Sequence, residues 1–284
     1  MQLNLNGKVA IVTGGSKGIG QATALGFLEE GASVLVCARG KEALEETVRL
    51  AGKKGEGRIV AMQADLTKGE DIKTVVARCL STFGRVDILV NNAGSARPGD
   101  FLTLPDEAWV DDWTLKFFGY MRMAREVLAH MHKQGNGVII NIAGTGGLKP
   151  MGTYMIGGSA NIAVNHFTKA LADEGAKHGV RVVGINPGPI LTERLQKFIS
   201  TFAPAGASQE EALKKMTPMG RVGKSEEVAD LILFLASERA AFIHGANITI
   251  EDRWAIVAYT RALQLSRLAT LDDVPAEQRA ALKK

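Results

Sequence analysis

The run Lys8-Val9-Ala10-Ile11-Val12-Thr13-Gly14-Gly15-Ser16-Lys17-Gly18-Ile19-Gly20 sets a β-branched segment directly against a cluster of glycines. It reads as a strand, a tight turn and the start of a helix. Few architectures accommodate that order. The turn needs residues without a Cβ, and the helix leaving it aims its free amide groups and positive dipole end back at the turn. A helix start built this way attracts a phosphate or pyrophosphate.

The rest of the chain repeats the alternation. Strands are predicted over Lys8 to Val12, Ser33 to Cys37, Arg58 to Gln63, Asp87 to Asn91, Gly137 to Ile142, Arg181 to Ile185 and Asn247 to Ile250. Between them apolar residues recur three and four apart, as at Ile72, Val75, Val76, Cys79, Leu80 and Phe83. This predicts an α/β domain of Rossmann type, a doubly wound parallel sheet of seven strands covered on both faces. Residues 1–251 are expected to form that domain, followed by a helical tail over 252–284. The stretch Leu191 to Met219 carries Ala, Gly, Ser and Pro between two short helical patterns. It is expected to lie over the carboxyl ends of the strands, where ligands bind.

Composition narrows the function classes. The net charge of +4 is spread among acids, so no basic stripe for nucleic acid is expected. No apolar run approaches a membrane span, and the polar N-terminus leads straight into the first strand, so a cytoplasmic protein without a signal peptide is expected. Cys37 and Cys79, both in apolar segments, fit a reducing compartment and offer no disulfide framework. The five histidines show no ligand spacing, and no metal site is expected. His130 and His132 sit at a helix end where positive charge is favourable.

Several blocks resemble the short-chain dehydrogenase/reductase family. Thr13-Gly14-x-x-x-Gly18-x-Gly20 has its glycine spacing. Asp65 after Ala64, Asn91-Asn92-Ala93-Gly94, Asn186-Pro187-Gly188-Pro189-Ile190-Leu191-Thr192, and Arg221-Val222-Gly223 followed by Glu226-Glu227-Val228-Ala229 match further family blocks in order. The resemblance runs over about residues 5–250. It implies a nicotinamide dinucleotide held by Gly14, Ser16, Lys17, Gly18, Ile19, Gly20, Asp65, Leu66, Asn92, Ala93, Gly94, Pro187, Gly188, Ile190 and Thr192. The second strand ends Val36-Cys37-Ala38-Arg39 with no acid for a ribose hydroxyl, whereas Arg39 and Lys17 offer cations for a 2′-phosphate. NADP(H) is therefore the expected cofactor, and a carbonyl or alcohol the expected substrate. The family's usual tetramers also suggest a homo-oligomer, a dimer or a tetramer.

The catalytic positions depart from the family. There a Tyr moves the proton, a Lys four residues later lowers its pKa, a Ser holds the substrate oxygen and an Asn anchors a water relay. A phenol near pKa 10 needs such a cation to work near neutrality. Alignment on Asn141-Ile142-Ala143-Gly144 and Phe167-Thr168-Lys169-Ala170-Leu171-Ala172 places Gly144 at the Ser, Gly157 at the Tyr, Asn161 at the Lys and Lys116 at the Asn. Lys116, on a helix predicted from Trp109 to Met131, is the expected acid or base if its pKa is depressed beside the ring. Tyr154, about one helical turn before Gly157, is the other candidate. Asn161 would hydrogen-bond the ribose or hold Lys116. Thr145 and Ser159 are lesser candidates, and Ser159 reads more simply as a helix cap. Gly157 and Gly158 allow a ligand to approach the backbone closely. An atypical oxidoreductase leads this reading. A lyase or isomerase using Lys116, and a nucleotide-binding pseudoenzyme, are its rivals.

Past Ile250 the family ends Asp-Gly-Gly, but this chain continues Glu251-Asp252-Arg253 and a helical pattern from Trp254 to Leu265. A second short helix follows, with Pro275 near its first turn. The tail resembles the last helix of a c-type cytochrome domain, without the Cys-x-x-Cys-His haem motif. This ending departs from the segment through which the family assembles.

Overall fold

A computed structural model describes residues 2–95, 97–193, 195–196 and 220–250. Seven strands form one sheet: β1 Val9–Thr13, β2 Ser33–Ala38, β3 Ile59–Gln63, β4 Ile88–Asn91, β5 Gly137–Ile142, β6 Val180–Pro187 and β7 Asn247–Ile250. Their order is β3-β2-β1-β4-β5-β6-β7, and every neighbouring pair is parallel. Helices α1 Gly18–Glu29 and α2 Lys41–Ala51 cover one face, with α7 Ser225–Ala236. Helices α3 Gly69–Phe83, α5 Gly119–Gln134 and α6 Met155–Ala176 cover the other. The α/β reading holds, and the predicted strands fall within a residue or two of the observed ones.

The strands are apolar throughout because both faces are covered. Along β1, Ala10 and Val12 enter one core while Val9 and Ile11 enter the other. Each valine or isoleucine among them contributes about 1.5–3 kcal/mol on burial, and Ala10 less. Cys37 and Cys79 are buried in the second core, and burial pushes both thiols up to about 12, so neither is a nucleophile. The strand order reverses between β1 and β4, which opens a crevice above their carboxyl ends.

Two expectations change. The single helix predicted from Trp109 to Met131 is instead α4 Asp106–Trp113, a π turn over Thr114–Phe118, and α5. The N–H of Gly119 reaches back five residues to Thr114 O. Apolar periodicity does not register such a turn, because one extra residue leaves the buried face of each flanking helix intact. His132 lies in the last turn of α5 as expected, but its surroundings outweigh the helix end. It stacks on His178 with ring centroids 3.7 Å apart, and burial, then His178, hold its pKa below the usual imidazole value.

No described helix is long and apolar enough to cross a membrane. The two helical patterns within 191–219 fall mainly outside the described residues. So do Glu251-Asp252-Arg253, the Trp254 to Leu265 helix, the segment near Pro275 and the cytochrome-like resemblance.

Candidate active site

The glycine turn is fastened into the end of β4. Thr13 Oγ1 donates to Val90 O at 3.3 Å and accepts from Asn92 N at 2.9 Å and Ala93 N at 3.0 Å. Asn92 Nδ2 donates to Thr13 O at 3.0 Å and Gly14 O at 3.2 Å. Gly14 N donates to Cys37 O at 2.8 Å, and Thr47 Oγ1 from α2 donates to Gly15 O at 3.2 Å. Gly14 has φ +65°, and a Cβ there would lie 2.9 Å from Ala93 Cα. A Cβ on Gly20 would overlap Gly14 O. The turn is therefore rigid without a ligand. Its helix start has Lys17 at the cap position with no side-chain cap bond, which leaves the first-turn amides for an anion.

The other cofactor candidates gather around this turn. Ser16 O accepts from Gln21 Nε2 at 3.2 Å, and Ile19 packs against the first core. At the neighbouring ends of β2 and β3, Asp65 Oδ1 accepts from Thr67 N at 3.1 Å and Thr67 Oγ1 at 2.9 Å. Burial raises the Asp65 pKa, but those bonds, with Arg39 and Lys68 nearby, hold it below the usual carboxylate range. Leu66 is buried in the second core, with its carbonyl oxygen close to Gly119. Arg39 is exposed. Lys17 is exposed too, but its amine pairs with Glu193 at 2.8 Å. Glu193 belongs to the segment after β6, whose Thr192 methyl would lie 3.1 Å from a Cβ on Gly18. Gly188 N donates to Ile250 O at 2.8 Å, and Ile190 is buried and bridges to Gly223. Pro187 ends β6. These bonds bring both flanks of the crevice to the helix start.

The π turn carries Lys116 inward. Its stem passes Gly94, where a Cβ would meet Lys116 Cδ at 3.1 Å, and Nζ donates to Ala143 O at 2.7 Å. Lys116 is only 8% exposed, which for a lysine requires polar partners. The amine thus sits beside Gly144, the residue after its acceptor. Gly144 has φ +147°, a conformation only glycine adopts readily, and its N–H donates to Asn186 Oδ1 at 3.3 Å. A Cβ on Gly144 would lie 2.9 Å from Asn161 Nδ2. Asn161 is buried on α6, and its Oδ1 has no partner within the protein.

The expectation for Gly157 and Gly158 is corrected. The close approach they allow is made by the protein itself. A Cβ at Gly157 would fall within the Tyr154 ring, 2.5 Å from its hydroxyl, and a Cβ at Gly158 would lie 2.9 Å from Gly146 O. Tyr154 therefore lies over the α6 backbone at Gly157, the position expected from the sequence to match the family's Tyr. Its hydroxyl stays near the helix backbone, not a phenol's length out from it. Ser159 is no N-cap: Oγ donates to Met155 O at 2.8 Å and Ile156 O at 3.0 Å inside the first turn of α6. Thr145 contributes its carbonyl, which accepts from Leu148 N at 2.8 Å.

Some site-building residues carried no clear sequence signal. Thr47 reads as an ordinary helix residue, yet its hydroxyl braces the turn. Asp112, buried on α4, accepts from Arg97 N at 2.6 Å and Ser95 Oγ at 3.1 Å, pinning the loop after β4. In sequence, Asp111-Asp112 looks like a solvated acidic face; only the burial distinguishes Asp112.

Comparison with known proteins bears on this site. The sequence profile of short chain dehydrogenases matches residues 8–201. The 3-oxoacyl-[acyl-carrier-protein] reductase FabG of Thermotoga maritima is 35% identical over 254 residues, 88% of this chain and 98% of that one. L-sorbose reductase of Gluconobacter frateurii, solved with NADPH and L-sorbose, superposes with a TM-score of 0.83 at 33% identity, covering 89% of this chain and 98% of that one. A 7α-hydroxysteroid dehydrogenase solved with NADH and 7-oxo glycochenodeoxycholic acid superposes at 0.82 with 31% identity, covering 89% and 96%.

Proposed function

The chain belongs to the short-chain dehydrogenase family, and from that premise we propose that it is an NADP(H)-dependent oxidoreductase in which Lys116 does the work of the missing proton-handling group. Its relatives are oxidoreductases, and some of the related structures hold NADPH and others NADH. The residues present fit a phosphorylated dinucleotide. The uncapped start of α1 and its braced turn would take the pyrophosphate, Arg39 the 2′-phosphate, with Lys17 a second cation if released from Glu193, Asp65 and Leu66 the adenine edge, and the orphan Asn161 Oδ1 a ribose hydroxyl. Bound there, the nicotinamide would supply or accept a hydride.

The observation that carries the reading is the Lys116 amine, held at 2.7 Å by Ala143 O beside Gly144. Ala143 O fixes the amine's direction, and Gly94 and Gly144 offer no side chain to screen it. A substrate carbonyl oxygen meeting Nζ would receive a charge-assisted hydrogen bond as negative charge develops, then the proton. For an alcohol the same amine, deprotonated, would take the hydroxyl proton. The substrate is a small carbonyl or alcohol, bounded by partly apolar cover such as Leu148 and Met151. Self-association is part of the same reading, with Val110, Phe118 and Ile162 exposed on α4, the π turn and α6. A monomer mass by light scattering would remove that part alone.

The test uses 4-deuterated NADPH with a panel of carbonyl compounds. Deuterium in product that disappears in Lys116→Met and persists in Tyr154→Phe supports the assignment; the reverse pattern refutes it. One observation favours a second reading, a nucleotide-binding pseudoenzyme: the Tyr154 ring is packed between Gly157 and Gly146, with its hydroxyl against the α6 backbone. Saturable NADPH binding with no transfer across the panel would select it.

A further inference from the structure

Behind Gly144 a second polar assembly lies between α6 and the sheet. Asn165, Asn186 and Asn247 come from α6, β6 and β7. Asn165 is 5% exposed and Asn186 fully buried. Asn165 Nδ2 and Oδ1, Asn186 Nδ2 and Asn247 Oδ1 are all buried without a protein partner. Buried polar atoms are nearly always paired, so four on the side chains of α6, β6 and β7 call for an explanation.

The topology brings them together. Asn186 Oδ1 accepts from Gly144 N, and Gly144 abuts Asn161 on α6. Two residues back on the same face of β6 is Gly184, where a Cβ would overlap Asn247 Oδ1 and lie 3.4 Å from Thr168 Cγ2 of α6. Asn186 is thus bracketed by Asn161 and Thr168, and Asn165 is the buried α6 residue between them. Asn247 Nδ2 donates to Asn165 O at 3.0 Å, which closes the third side.

Backbone partners settle the polarity of two members. Asn186 Oδ1 is used by Gly144 N–H, so its Nδ2 donor faces inward; Asn247 Nδ2 is used by Asn165 O, so its Oδ1 acceptor does. A bound cation would leave the Asn186 donor opposed, and an anion the Asn247 acceptor. Only a small group that both accepts and donates matches the pair, and Asn165 adds one of each. We infer that Asn165, Asn186 and Asn247 hold a buried water that ties α6 to β6 and β7 immediately behind Gly144 and Asn161. It accepts from Asn186, donates to Asn247 and completes its bonds on Asn165, the usual number for an internal water.

The test is a high-resolution crystal structure of the full chain, together with thermal unfolding of Asn165→Leu. Expected is an ordered water peak within hydrogen-bond distance of Asn186 Nδ2 and Asn247 Oδ1. Also expected is a Tm lowered by about 2–4 °C in Asn165→Leu, because two buried polar atoms then lose their bridge. Asn165→Ser, which keeps a hydroxyl, should lose less. A direct Asn186–Asn247 bond, or a site without density, overturns the inference. So does a raised Tm in Asn165→Leu, the result when an unbonded amide is replaced by a hydrocarbon.

Discussion

The glycine turn and the α6 side of the crevice solve the same problem differently. At the turn, Thr13, Asn92 and Thr47 bond backbone groups that would otherwise be loose, and the glycines are needed because Ala93 and Asn92 crowd them. On the α6 side, the glycines are crowded by Tyr154 and Asn161, and the amides of Asn161, Asn165 and Asn186 keep atoms without protein partners. The first region is complete before anything binds. The second is closely packed and has retained unspent hydrogen-bonding capacity. Nucleotide binding and chemistry should therefore respond separately to mutation.

The sharpest way to break that contrast is at the turn. Gly20→Val would overlap Gly14 O, and NADPH affinity by calorimetry should fall by more than about 100-fold, or roughly 2.7 kcal/mol. Near-native affinity would mean the turn is not rigid. Next, Lys116→Met should lower single-turnover hydride transfer by about 10²–10⁴-fold, the range for a lost acid–base group. NADPH binding should hold within about threefold. Equal losses in both would couple the two regions and sink the separation.

Smaller effects probe packing. Gly157→Ala pushes into the Tyr154 ring and should cost about 1–3 kcal/mol in urea unfolding. Adding Tyr154→Ala should recover part of that, since the two sites touch; additive losses would show that the ring is not the obstacle. The smallest effect is at Arg221 and Glu227, paired at 2.6 Å where α7 begins. Hydrogen bonding to Arg221 outweighs burial and holds the Glu227 pKa down to about 2 from 4.5. A depressed carboxylate stabilises the fold above its ordinary pKa, and this is lost as pH falls from about 4.5 toward about 2. Arg221→Gln should cost at most about 1 kcal/mol at neutral pH, because the pair is partly exposed. Circular dichroism should show the gap between variant and parent closing over that acid interval; a constant gap would dismiss the pair.

How much could be read in advance follows the same division. The sheet was legible because β-branched runs were bounded by turns, and the helix start because its glycines cluster within one short segment. The roles of Gly144, Gly157 and Gly158 were not, since a glycine states only that a Cβ is unwelcome, not what excludes it. Asn165, Asn186 and Asn247 are far apart in the chain and meet only once β6 and β7 are aligned. Lys116 could be placed by alignment with the family, but its bond to Ala143 O depended on a turn that leaves no periodic trace.

That turn has an evolutionary consequence. A π turn is an α-helix with one residue too many, and it can come or go by a single-codon insertion or deletion. Removing one residue from 114–118 would fuse α4 and α5 into one regular rod, keep the buried face of each, and redirect only the side chains of the turn itself. The amine could then leave the crevice while α5 kept its seat on the sheet, so the lineage holds a cheap lever on reactivity that spares the core.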